Sequence, residues 1–108
     1  MNKERRKQLA DVRKAVADAR AIIETSLETF SAVLVQAKSD LESIKVDEED
    51  SLERLPESMR DGEKGQAMQE CIETIALTTE KLEEIDTALT QIKDDCDEVD
   101  SNIETAMG

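Results

Sequence analysis

The chain contains no histidine, tryptophan or tyrosine, and Phe30 is its one aromatic residue. Without histidine it lacks the commonest general base and the commonest metal ligand. An aromatic content of 1% excludes an ordinary compact globule, because aromatic side chains supply much of the buried area of such cores. It also speaks against β-sheets, which favour aromatic and β-branched residues. Glycine and proline are scarce, at three and one, so long stretches run without a breaker. No apolar run approaches the ~18 residues of a membrane span, and the basic start at residues 3–7 is not followed by an apolar stretch, so neither a span nor a secretory leader is expected. Two cysteines, Cys71 and Cys96, stand far apart, and on one helix they would be ~37 Å distant at 1.5 Å per residue, too far to pair within a chain. Reduced thiols in a cytoplasmic protein follow from this; a bridge between two copies is the other option.

What the chain has in excess is negative charge. Its 108 residues carry 27 acidic and 14 basic side chains, a net charge of -13. That balance opposes direct binding to nucleic acid or to an anionic membrane, both of which need basic patches.

Hydrophobic spacing assigns the chain to the all-α class. Met68, Cys71, Ile75, Thr78, Leu82, Ile85, Leu89, Ile92, Cys96, Val99, Ile103 and Ala106 follow an unbroken 3-4 alternation, the mark of a coiled-coil seam. In the first half, Leu9, Val12, Val16, Ala19 and Ile23 follow a heptad that Leu27, Phe30, Leu34, Ala37, Leu41 and Ile44 resume after an extra step of four. Such a stutter locally unwinds a supercoil. Around it the apolar face is broad, through Ile22, Val33 and Val35. Pro56, Gly62 and Gly65 fall between the halves. Pro56 suits the first turn of a short helix, Gly62 its left-handed end, and Asp61 the cap of the next helix, with Leu52, Leu55 and Met59 plugging the bend. The expected architecture is one antiparallel two-helix hairpin domain: a helix over about 3–53, a short helical elbow near 54–63, and a helix over about 64–106. One partner helix cannot cover so wide a stripe, so the hairpin is expected to self-associate into a coiled-coil-like bundle, a dimer or higher.

Charge is polarised as well. Glu70, Glu73, Glu80, Glu83, Glu84, Asp94, Asp97, Glu98 and Glu104 fall on outward heptad positions of the second helix, with no base among them. This acidic ribbon reads either as a solvated face that keeps a bundle dissolved or as a mimic of a nucleic-acid phosphate track. Residues 1–20 carry a net +4 and the rest -17, which puts positive charge at a helix N-terminus, against the macrodipole. Compensation would come from Asp94, Asp95, Asp97, Glu98 and Asp100 returning on the antiparallel helix, or from a phosphate-bearing ligand. Candidate ligand contacts are Arg5, Arg6 and Lys7, the one dense basic cluster, with Arg60 and Lys64 beside the elbow, where a helix start offers free N–H groups to anions.

Little else points to chemistry. Neither cysteine has a histidine to activate it, and no zinc cluster or glycine-rich phosphate loop is present. The run 94–98 lacks the central glycine of a calcium loop. Glu70/Glu73 and Glu83/Asp86 have the Glu-x-x-Glu and Glu-x-x-Asp spacing of helical nucleotide pyrophosphatases, but the glutamates fall on the outward face. No enzyme activity, cofactor or metal is expected.

Three segments carry a family resemblance. NKERRK (2–7), PESMRDGEKGQAMQE (56–70) and EVDSNIETA (98–106) resemble short acidic helical proteins of bacteriophages and prophages, with a basic opening, a Pro-Glu-Ser elbow with Glu-Lys-Gly a few residues on, and an acidic heptad helix. Residues 15–35, where the stutter falls, look like an insertion relative to shorter members. The resemblance implies a non-enzymatic protein in the cytoplasm of a bacterial host that counters a host defence. Its partner would be a nucleotide immune signal soaked up by a helical oligomer. The alternatives are a nucleic-acid-binding defence complex blocked by acidic mimicry and a structural or assembly role in the virion.

Overall fold

The computed structural model describes residues 2–108. Every regular element in them is helical: α1 (Lys3–Glu53), α2 (Glu57–Arg60) and α3 (Glu63–Met107), with α1 and α3 packed against each other. The chain divides into two compact units, Met1–Ser31 with Thr87–Gly108 (unit 1) and Ala32–Asp86 (unit 2).

α1 starts where Asn2 Oδ1 accepts the Arg5 backbone N–H at 2.8 Å, an N-cap that satisfies one of the free donors of the first turn. No glycine or proline interrupts its 51 residues. Lys14–Asp18 (2.7 Å) and Gln36–Asp40 (2.9 Å) support its surface one turn apart. The helix stops because Leu55 precedes Pro56, whose ring disfavours helical backbone in the residue before it. Arg60 then closes the end from α2. Its Nη2 donates to the Glu53 carbonyl (2.8 Å) and its Nε to the Leu55 carbonyl (3.1 Å), so acceptors left over at the helix terminus are satisfied by a cation, the sign its dipole favours.

The elbow differs from the sequence expectation in its glycines. Gly62 is not left-handed; among the described residues a positive φ occurs at Gly108 alone. Asp61, at the end of α2, keeps near-helical backbone (φ -87°, ψ -5°), and Gly62 N–H bonds to the Met59 carbonyl, so the chain passes into α3 without a left-handed step. The contribution of Asp61 to the start of α3 is its backbone carbonyl, which accepts from Gln66 Nε2 at 3.3 Å. The demanding glycine is Gly65. It is buried, and a Cβ there would stand 1.9 Å from the Arg60 carbonyl oxygen. Leu52 and Leu55 are half-buried at the bend, while Met59 is exposed.

Gly65 also sets the rotation of α3. The buried residues of that helix are Gly65, Ile72 and Thr79, one per heptad, and Leu34 of α1 is buried in the same unit. Met68, Ile75 and Leu82 of the expected seam are half-covered, but its other line is displaced by one residue: Ile72 and Thr79 are covered where Cys71 and Thr78 were expected, and both of these are exposed. The Thr79 hydroxyl donates to the Ile75 carbonyl (3.1 Å), which removes the cost of burying it. In unit 1 no described residue is buried; Leu9, Val16, Leu27, Leu89, Cys96 and Ile103 are half-covered.

Gly65→Ala is therefore expected to lower stability by about 1–3 kcal/mol, the usual cost of overpacking, in urea unfolding followed by circular dichroism. Gly62→Ala, whose Cβ would sit 3.5 Å from the Met59 carbonyl oxygen with no positive φ, is expected to be neutral or mildly stabilising.

Candidate functional site

The expected ligand residues lie at two places. Arg5, Arg6 and Lys7 open α1 in unit 1; Arg60 and Lys64 flank the elbow of unit 2. They differ in how far their charge is already committed. Arg6 Nε donates to the Met107 carbonyl at 3.0 Å, placing a cation at the negative end of the α3 dipole. Lys7 has a long contact with Asp11, 3.9 Å, between two exposed side chains. Arg60 is held on the Glu53 carbonyl at the end of α1 and the Leu55 carbonyl just beyond it, and contributes positive potential rather than a free donor fork. The guanidinium of Arg5 and the ammonium of Lys64 have no hydrogen-bond or ion-pair partner among the described residues.

Compensation of the basic start takes a particular form. The returning acids do meet bases of α1, but about two and four turns further along than the Arg5–Lys7 cluster. Arg13 grips Asp100 with both ends of its fork, Nε to Oδ1 at 2.6 Å and Nη2 to Oδ2 at 3.0 Å, and reaches Glu104 at 3.5 Å. Arg20 bonds Asp97 at 2.5 Å. The hydrogen bond from Arg13 holds the Asp100 carboxyl below the usual carboxylate value, and the bonds to Asp100 and Asp97 raise the two guanidinium pKa values. In unit 2, Lys38 bonds Glu83, which raises its ammonium pKa in the same way.

These pairs also alter the acidic ribbon. Glu83, Asp97 and Glu104 turn to bases of α1, and Glu84 pairs with Lys81 at 2.8 Å on its own helix. Glu73 accepts a long 3.5 Å bond from Gln69. Glu70, Glu80, Asp94 and Glu98 stay exposed with no partner among the described residues. Heptad position alone could not show this, because long side chains at flanking positions bend back over the seam.

Sequence reasoning passed over Arg13 and Arg20 as site residues. They border an open cleft of about 410 Å³ in unit 1, with Val16, Cys96 and Ile103 beneath and the small Ala17 and Ala21 alongside. The available signal was their position: both fall at heptad-adjacent places on α1, opposite a dense acidic run on the antiparallel helix. Because each arginine is neutralised by its carboxylate, the cleft offers hydrogen-bonding geometry and apolar surface rather than net positive charge. Among the described residues no three carboxylates or thiols gather as a metal would need, and no helix is long and apolar enough to cross a membrane. No family model, curated protein or solved structure matches the chain.

The Asp100 pairing predicts a pH dependence. A carboxyl whose folded pKa is lowered contributes stability that is present above its ordinary value and is lost as pH falls through the lowered one. Asp100→Asn should thus melt at a lower temperature than the parent chain near neutral pH. The gap in Tm should close on acidification from about pH 5 downward.

Proposed function

We propose that this chain is a non-enzymatic, phage-type binding protein that works as a self-associated helical bundle and counters a bacterial defence by sequestering a small, nucleotide-like immune signal. The ligand class is an anion small enough to be held by arginine and lysine at helix ends. Arg5, with Arg6 and Lys7 beside it, forms the phosphate-binding group at the start of α1; Lys64 at the start of α3 is a second positive point, with Arg60 adding positive potential from its place on the Glu53 carbonyl.

One observation carries the reading. In a chain of net charge -13, most bases bond carboxylates or carbonyls, yet Lys3, Arg5, Arg54, Lys64 and Lys93 have no partner among the described residues, and Arg5 and Lys64 are the two of these that stand within the basic start and the elbow group. Charges retained unpaired in that setting are available to a ligand. The acidic-mimic reading depends instead on a continuous free ribbon, and its carboxylates are in part spent on Arg13, Arg20, Lys38 and Lys81.

Two measurements test this. Changing Arg5, Arg6 and Lys7 together to Ala should abolish nucleotide binding in calorimetry while helix content holds; retained binding would place the ligand elsewhere. Replacing Glu70, Glu80, Asp94 and Glu98 with Gln or Asn removes four exposed charges, none of which has a partner among the described residues. That variant should still protect a phage against the host defence. Loss of protection with the fold intact would instead establish the acidic surface as the active element.

A further inference from the structure

We infer that the apolar flank of unit 1, centred on Ile23, Ile92 and Val99, is the contact surface for a second copy of this chain, with α1 of one copy against α3 of the other. The inference rests on the self-association in the reading above and names the surface that performs it.

The first observation is burial. Unit 1 contains no buried residue among those described, whereas Leu34, Gly65, Ile72 and Thr79 give unit 2 a small core of its own. The apolar side chains that would make a core in unit 1 are present but uncovered: Val12 is 52% exposed, Ile23 46%, Ile92 45% and Val99 42%. Ile23 and Ile92 line one crevice with Leu27 and Cys96, rimmed by Arg20, Glu24 and Lys93. Helical spacing puts these residues on one edge. Val12, Ala19 and Ile23 flank the covered face of α1 on the side away from Ala17 and Glu24, and Ile92 and Val99 flank that of α3 on the side away from Asp97 and Glu104. Arg13 and Arg20 bond Asp100, Glu104 and Asp97, and Val99 borders the same cleft as these pairs, so the apolar strip adjoins the ion pairs.

The second observation is area. The chain exposes 7964 Å², whereas a monomer of 12.0 kDa exposes about 6,000 Å². The excess of about 2,000 Å² more than covers the ~800 Å² per partner of a standard interface. The third is charge. Residues 1–31 hold seven bases and five acids, and residues 87–108 six acids and one base. Two copies that set α1 against α3 bring unlike charges together around the apolar strip. Setting α3 against α3 would instead bring two acidic limbs into contact, which the net charge of -13 makes costly. A two-fold pair of this kind is a four-helix arrangement whose interface is self-complementary.

The test is the mass of the full chain in solution, by light scattering at micromolar concentration. The parent chain is expected at a multiple of 12.0 kDa. Ile92→Glu combined with Val99→Glu should reduce it to 12.0 kDa with helix content kept, since both positions are already partly exposed in the single chain. Leu77→Glu, at a 66% exposed site in unit 2, should leave the assembly intact. If the double glutamate variant loses helix, Ile92→Ser with Val99→Ser gives the milder form of the test and should weaken association at least tenfold. Assembly unchanged in the folded variants would overturn the assignment of this surface while leaving self-association standing. A parent chain that is monomeric would overturn both. The nucleotide calorimetry is an independent readout of the ligand.

Discussion

The contact between Gly65 and the Arg60 carbonyl governs how α3 is presented. A helix that begins within van der Waals reach of another backbone cannot rotate freely about its axis, and here the contact point must be a glycine. The line through Gly65 continues to Ile72 and Thr79, and those residues are buried in unit 2. A small rotation at the elbow thus decides which of two adjacent apolar lines is covered and which is left outside. Arg60 serves the same junction twice, through its backbone carbonyl toward Gly65 and through its guanidinium on the Glu53 and Leu55 carbonyls.

The covered faces hold less apolar material than the heptads suggest. Arg13, Arg20, Lys38 and Lys45 are half-covered on α1, and among the described residues the buried hydrophobic side chains are Leu34 and Ile72. Ion pairs in partly solvated positions contribute little net stability, because side-chain ordering and desolvation offset the attraction. Their stronger effect is on geometry, since a bidentate arginine fork on a carboxylate tolerates little displacement. The two units therefore divide the labour: unit 2 has a small core set by the elbow, and unit 1 has polar pairing beside uncovered apolar surface.

Much of the helical layout could be read from residue spacing, because proline and glycine are so few and the 3-4 alternation so long. The phase of α3 could not. Cys71 and Ile72 are equally plausible inward residues by pattern, and what separates them is a backbone contact at Gly65 that no periodicity encodes. Gly62 misled for a similar reason: glycine after a short helix usually signals a left-handed step, but here α2 leads into α3 through ordinary helical backbone. In the candidate site, the density of bases at residues 3–7 was visible, but their state was not. That Arg6 is spent on a carbonyl, while Arg5 has no partner among the described residues, depends on where α3 ends, at Met107. The roles of Arg13 and Arg20 depend on the antiparallel register that sets them against Asp100 and Asp97, which residue spacing along one helix does not encode.

Arg13 has one further consequence, for how the two limbs of unit 1 find each other. Heptad helices rich in Ala, Leu and Ile can slide past one another by a whole repeat with little loss of apolar contact, and a folding chain risks being caught in such a slipped state. Sliding one repeat in one direction would carry Arg13 from Asp100 to Lys93, exchanging a bidentate bond for a like-charge encounter. Sliding the other way would bring it to Met107, which has no carboxylate to offer. Either slip costs Arg13 its bidentate partner, and its alignment is selected by what the positions one repeat to either side of Asp100 lack.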